Sequence, residues 1–335
     1  MIESENHKAR NSNIELLRLV LMLMVILLHF NNRTMGGAFE FSANLPLNNF
    51  YLHFLESLSI CAVNCFMIIS GYFLYTNTKI KTGKILDIIL IVIFYRYINY
   101  FIQILFFNES FSFKHLIYLL LPMNYFAIFY IVSYIFSPFI AKIWNNIDDK
   151  KSNILIAIIF LIFILVPTFL DIADNLNINI SDSLSPISTQ GNERGYSIVQ
   201  FISMLSLGMW LRKKSLNPPM YILIIFYLLT SLIMTFLVKH LSSIYNYCSI
   251  LTVINAVLLF LIFHKLKIEN RFINFCSKSC FAIFCIHTSG FSNSLWRKYF
   301  ITYEHFSNGL ALDFCKCIFY VYFLSYFQYF FQIII

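Results

Sequence analysis

The sequence predicts an all-α fold, a polytopic transmembrane bundle of about ten spans with both termini cytoplasmic, in one integral membrane domain over residues 1–335. Three observations lead there. Hydrophobic residues make up 59% of the chain and charged residues 12%, whereas ordinary soluble domains carry roughly 25% charged residues. Apolar runs long enough to cross a hydrocarbon core of about 30 Å recur along nearly the whole length, so no stretch is left to fold as a soluble domain. Finally, the basic residues are divided unequally between alternate loops, as the positive-inside rule demands.

The apolar runs place spans at 14–33, 51–75, 85–107, 124–142, 153–170, 197–211, 220–238, 247–263, 276–295 and 311–332. The stretch 111–123 is apolar but short, and reads either as an interfacial helix or as part of the fourth span. A polar leader occupies residues 1–13, and the longest polar stretch, 171–196, is expected as an extracytoplasmic loop. With the amino terminus inside, the inner segments hold Lys8 and Arg10, then Lys79, Lys81 and Lys84, then Lys142, Lys150 and Lys151, then Arg212, Lys213 and Lys214, then Lys265, Lys267 and Arg271. These fourteen face six in the outer segments: Arg33, Lys114, Arg194, Lys239, Arg297 and Lys298. The net charge of +8 is therefore accounted for by an anionic inner leaflet, and no nucleic-acid partner is implied.

The first apolar run is too long for a signal-peptide core and lacks a small-residue cleavage site, so it is expected to stay as the first helix. The eight cysteines show no paired metal-ligand spacing and read as small apolar packing residues; no metal site is expected. Abundant Ile, Phe, Asn, Lys and Tyr suggest an AT-rich bacterial genome, and the expected location is the bacterial cytoplasmic membrane.

Polar residues inside the spans carry the functional signal. Arg18 and His29 bracket LVLMLMVILL. Eleven helical positions turn about 1,100°, so both side chains share one face about 16 Å apart along the axis. A charge at that depth costs roughly 2.5 to 3.5 kcal/mol even on lenient scales, which makes the pair a functional-site candidate. The competing reading is a snorkelling arginine and a helix-end histidine. Glu15, three residues before Arg18, is placed for an ion pair, structural or catalytic. His53 and Glu56 lie at the depth where His29 emerges, as sharers of an aqueous cavity or as interface residues. In AVNCFMIISGYFL, Asn64, Ser70 and Gly71 allow either close helix contact or approach of a ligand. Arg96 lies deep in the third span and needs a partner. A mouth lined by Arg18, Lys79, Lys81 and Lys84 suits a phosphorylated ligand such as coenzyme A, with plain membrane anchoring as the competing reading.

Arg18-x10-His29 followed by AVNCFMIISGYFL resembles the membrane acyltransferase-3 family, whose pattern is R-x10-H and then V-D/N-x-F-F-x-x-S-G-F/Y. NYFAIFYIVSYIFSPFI is similar to that family's aromatic helix, with Tyr125 where tryptophan is usual and Pro138 in register. FAIFCIH, ending at His287, is similar to its late YLIH element, with Phe284 and Cys285 replacing tyrosine and leucine. The likeness covers most of the chain.

The resemblance implies transfer of an acyl group, commonly acetyl, from cytoplasmic acyl-CoA to a hydroxyl of a cell-envelope polysaccharide, glycan precursor or lipid-linked saccharide. Acyl-CoA is then a donor substrate, and no permanently bound cofactor is expected. His29 and Arg18 are the expected catalytic pair. A neutral imidazole, titrating near 6.5 when unperturbed, suits a general base at a hydroxyl, and can alternatively carry the acyl group itself. Arg18, Arg96, Lys79, Lys81 and Lys84 are expected on the donor side. Glu15, His53, Glu56, Asn64, Ser70, Gly71, Tyr72, Tyr125 and His287 are expected around the substrates. Long family members append an extracytoplasmic hydrolase-like domain, whereas this chain stops at Ile335 just after its last expected helix; if acyl relay to such a domain is needed, a separate extracytoplasmic acyl-accepting protein is expected to supply it. The alternative is a transporter or flippase for a glycan intermediate, which predicts repeats and broken helices in matching halves; no such repeat is evident.

Overall fold

The computed structural model describes residues 11–32, 35–107, 109–178 and 195–287, and among these every regular element is helical. Helix α1 spans Ser12–Asn31. The short α2 (Ala38–Phe41) leads into α3 (Pro46–Ser59) and α4 (Ala62–Leu74), which together form one 29-residue segment. Next come α5 (Thr82–Phe107), α6 (Phe113–Leu119), α7 (Tyr125–Asn146) and α8 (Asp149–Phe160). A π-helical turn at Leu161–Leu165 joins α8 to α9 (Val166–Asn175). The remainder is α10 (Ile198–Lys214), α11 (Met220–Leu237), α12 (Ile250–Lys265), α13 (Arg271–Cys276) and α14 (Cys280–His287).

Side-chain caps explain several starts. Asn124 accepts from the Ala127 amide at α7, Asp148 from Lys151 at α8, Ser197 from Gln200 at α10, and Asn270 from Phe272 and Ile273 at α13. Each satisfies an amide that has no intrahelical acceptor. The stretch 111–123 forms the separate seven-residue α6, not an extension of the fourth span.

Seven of the described segments are long and apolar enough to cross a membrane, and the protein is a multi-pass membrane protein. The bundle is arranged around α4 and α10. A Cβ on Gly71 would collide with the Leu205 carbonyl, and one on Gly208 with the Ile68 carbonyl, so two glycines bring these backbones together. The close approach at Gly71 is thus to a helix backbone. Leucines 86, 90 and 105 on α5, Phe136 and Phe139 on α7, and Ile225 and Phe236 on α11 point outward, as lipid-facing surfaces do.

Hydrogen bonds draw the predicted inner segments to one end of the bundle. There Asn13 donates to the carbonyls of Phe263 and His264, Asn145 to that of Tyr75, and Lys213 to that of Trp144 (2.9 Å). Lys214 pairs with Asp149 at 3.1 Å. At the opposite end, Asn246 donates to Asp171 and Asn175 to Ser243. The loop expected from residue 171 starts later than its polarity suggests: α9 continues to Asn175 because Asp171 is buried and bonded there. Most of that loop, residues 179–194, lies outside the described residues, as do the second half of the ninth expected span and all of the tenth.

Candidate active site

One face of α1 presents Arg18, Met22, Val25 and His29, at offsets of four, seven and eleven residues, to two cavities. Arg18 and Met22 line the smaller cavity, of about 360 Å³. His29 lines the larger, of about 960 Å³. Val25 borders both. The helical spacing of arginine and histidine therefore places them in different compartments.

The smaller cavity carries three cationic side chains, Arg18, Lys84 and Lys278, together with Ser70 and Ser277, and no carboxylate among the described residues lines it. Arg18 is held by the expected ion pair with Glu15, at 3.7 Å. Lys84 donates to the Tyr130 hydroxyl (2.9 Å), and its ammonium stands 4.4 Å from the centre of the Tyr134 ring, a geometry that positions a cation without neutralising it. Lys79 and Lys81 line neither cavity; the Lys81 amide donates to the Tyr134 hydroxyl. Arg96, grouped with these cations in the sequence reading, lines the larger cavity instead. Its partners are the Leu121 carbonyl and the Tyr118 ring.

His29 meets His287 in that larger cavity's wall. The His29 Nδ1 lies 2.6 Å from the His287 Nε2, and with centroids 4.7 Å apart and planes 16° from parallel the two rings meet edge to edge through these nitrogens. His287 is fully buried and does not line the cavity, whereas His29 does. When the Nδ1–H of His29 donates to His287, the lone pair of the His29 Nε2 is the one available to a reactant. When the His287 Nε2–H donates instead, the His29 Nε2 carries the proton, so the tautomers of the two rings are coupled.

Glu56 lines the same cavity and accepts a 2.8 Å hydrogen bond from the Asn31 side chain. His53 does not line it; its ring stacks on Phe39 at 4.4 Å and lies near Tyr245. Tyr125 borders the cavity. Asn64 is engaged within the bundle, donating to the Tyr247 carbonyl and accepting from Gln200. Tyr72 accepts from Arg212 (2.8 Å) and meets His264 (3.2 Å), away from both cavities.

Sequence reasoning did not select Lys278, Asn99, Tyr100, Gln103 or His115, which complete the walls. Lys278 and Asn99 carried a usable signal, a polar group inside or beside an apolar run. The Asn99 side chain is buried, donates to the Cys285 carbonyl at 3.4 Å, and its Oδ1 has no hydrogen-bond partner among the described residues.

No curated protein and no solved structure matches the chain. A family model described as an acyltransferase domain matches residues 11–330. With that match over nearly its whole length, and with the Arg18 and His29 compartments in place, the chain belongs to the acyltransferase-3 family and is a membrane acyltransferase.

Proposed function

We propose that the protein is an O-acyltransferase of the bacterial cytoplasmic membrane. It moves a short acyl group, acetyl in the first instance, from acyl-CoA to a hydroxyl of a cell-envelope glycan. The observation that carries this reading is the division of labour along α1: a cation-lined cavity at Arg18, and a larger cavity at His29 whose walls hold tyrosines, amides and Glu56. Phosphates of the donor suit the first, because Arg18, Lys84 and Lys278 present positive charge with no carboxylate among the described lining residues to compete. A polyol suits the second, where aromatic faces and amide groups lie together.

In this reading the acceptor hydroxyl gives its proton to the His29 Nε2 while its oxygen attacks the thioester carbonyl carbon. The C–S bond breaks, the ester forms, and the proton passes from His29 to the departing thiolate. The step requires the tautomer in which the His29 Nδ1–H donates to His287, and the 2.6 Å contact between the two rings supports that role for His287. In this reading the amino terminus is cytoplasmic, as the excess of basic residues in alternate loops suggests, and the Arg18 end then faces the side where acyl-CoA is made. A separate extracytoplasmic protein as intermediate acceptor remains compatible with this scheme.

The test is transfer of label from radiolabelled acetyl-CoA in membranes containing the wild-type chain, His29→Ala or Arg18→Ala at equal protein level. Label entering the glycan fraction with wild type, and lost in His29→Ala, supports the reading. Unchanged transfer in both variants overturns the site. Absence of transfer by wild type from every short acyl-CoA overturns the function and favours transport.

A further inference from the structure

Helix α5 turns five residues to the larger cavity, Val92, Arg96, Asn99, Tyr100 and Gln103, whose offsets of four, seven, eight and eleven make one helical stripe. Four of the five are polar, although α5 is apolar enough to cross a membrane. The stripe runs beside the histidine pair, because Asn99 donates to the carbonyl of Cys285, two residues before His287. Arg96 is the cation of the stripe, one turn from Asn99 and half-buried. Its guanidinium is always protonated and carries five N–H groups. One of them donates to the Leu121 carbonyl, and the Tyr118 ring lies 5.2 Å away. No carboxylate among the described residues pairs with it. Glu56, the one carboxylate among the described residues that line this cavity, is bonded to Asn31. A neutral carbonyl and a ring orient a guanidinium and leave its charge uncompensated. Charges inside membrane spans pair with an opposite charge or mark the path of a substrate, and Arg96 has no such pair.

We propose that Arg96 binds an anionic group, a carboxylate or a phosphate, carried by the acceptor saccharide, so that the acceptors of this acyltransferase are acidic glycans. The inference deepens the reading above, and rests on it, by naming the charge of the acceptor. It also gives the two buried-face arginines different substrates: Arg18 lines the donor's cavity and Arg96 the acceptor's. The guanidinium fork offers two parallel N–H groups to the two oxygens of a carboxylate or a phosphate, so this chemistry is common to a uronic acid and to a sugar phosphate. With its oxyanion fixed at Arg96, a saccharide lies along the polar stripe. Asn99 is then one helical turn away, about 5 Å, about the span of a sugar ring, and beyond it stands the histidine pair that takes the proton of the reacting hydroxyl.

The test is competition. Permeabilised membranes containing the full chain are given labelled acetyl-CoA, and labelling of their own glycan fraction is followed as methyl glucoside, methyl glucuronoside or glucose phosphate is added. The three probes share a sugar ring and differ in charge. The acidic probes should inhibit at concentrations roughly 10- to 150-fold below the neutral one, the worth of a charge-assisted hydrogen bond, and the stronger of the two tells a carboxylate from a phosphate. Arg96→Gln should remove this preference and Arg96→Lys should restore part of it. Asn99→Leu takes an amide but no charge from the same stripe, and should keep it. The preference is a ratio within one preparation, so the amount of folded protein cancels. Equal inhibition by neutral and acidic probes in wild type, or a preference that survives Arg96→Gln, overturns the inference, while the labelling itself leaves the acyltransferase reading standing. Inhibition by the acidic probes that added acetyl-CoA relieves would put the anion at the donor's cations and overturn it as well. Absence of labelling by wild type from every short acyl-CoA overturns both.

Discussion

The Arg18 cavity and the His29 cavity are built on the same face of the same helix, yet they differ in the way they treat charge. At Arg18 the positive groups converge from α1, α5 and the turn before α14, and their protein contacts are an ion pair at one edge and tyrosine rings. At His29 the cation Arg96 is already engaged by a carbonyl and a ring, Glu56 is bonded to Asn31, and the imidazole meets a second imidazole nitrogen to nitrogen. In the proposed function the first arrangement offers positive charge to an anionic ligand, and the second holds polar groups in fixed orientation for proton transfer. One helix serves both because eleven residues turn through nearly whole revolutions while separating the ends by about 16 Å.

The comparison breaks most sharply at His29. His29→Ala should lower kcat for acyl transfer by roughly 10² to 10⁴, the range for loss of a general base, with little change in KM for acyl-CoA. His287→Ala should cost roughly 10- to 100-fold, the usual effect of losing a group that orients another. His287→Gln should recover part of that loss and shift the pH–rate profile, since it keeps a polar atom near the His29 Nδ1. Steady-state rates in membranes across pH check both. If His287→Ala leaves rate and profile unchanged, the histidine pair is packing alone.

On the other side, Arg18→Ala should raise KM for acyl-CoA by roughly 10- to 150-fold, the equivalent of one charge-assisted hydrogen bond of about 1.5 to 3 kcal/mol, and lower kcat less. The opposite split, with kcat falling and KM held, would move Arg18 into the chemistry and erase the distinction between the cavities. The smallest effect is expected for Lys278→Ala: a rise in KM of a few-fold that shrinks as salt is raised, because a partly exposed charge is screened. Titrating acyl-CoA at two ionic strengths measures it.

Much of this site was legible before any tertiary contact was known. The shared face of Arg18 and His29, the Glu15 ion pair and the depth of Glu56 follow from helical period and span position. Tertiary partners were another matter. Arg96 reads as one more buried cation, but its cavity is decided by the carbonyl at Leu121 and the ring at Tyr118, supplied by the segment before α7. Asp171 reads as the start of a polar loop; it continues a helix because Asn246, far along the chain, meets its carboxylate. Phe126 and Phe284 carry no sequence mark at all, since in an apolar chain a phenylalanine in the wall shared by two cavities has the same chemistry as one facing lipid.

By itself the sequence determined that the chain enters a membrane and that an arginine and a histidine lie on one stripe of its first apolar helix. These are local properties, set by side-chain transfer energies and a 3.6-residue period. The tertiary structure alone decided that two glycines bring α4 and α10 together, that His287 meets His29 across 258 residues, and that four apolar side chains are shared by the walls of two cavities. Those outcomes depend on how helices cross, and crossing is settled by the mutual fit of side chains from several segments at once.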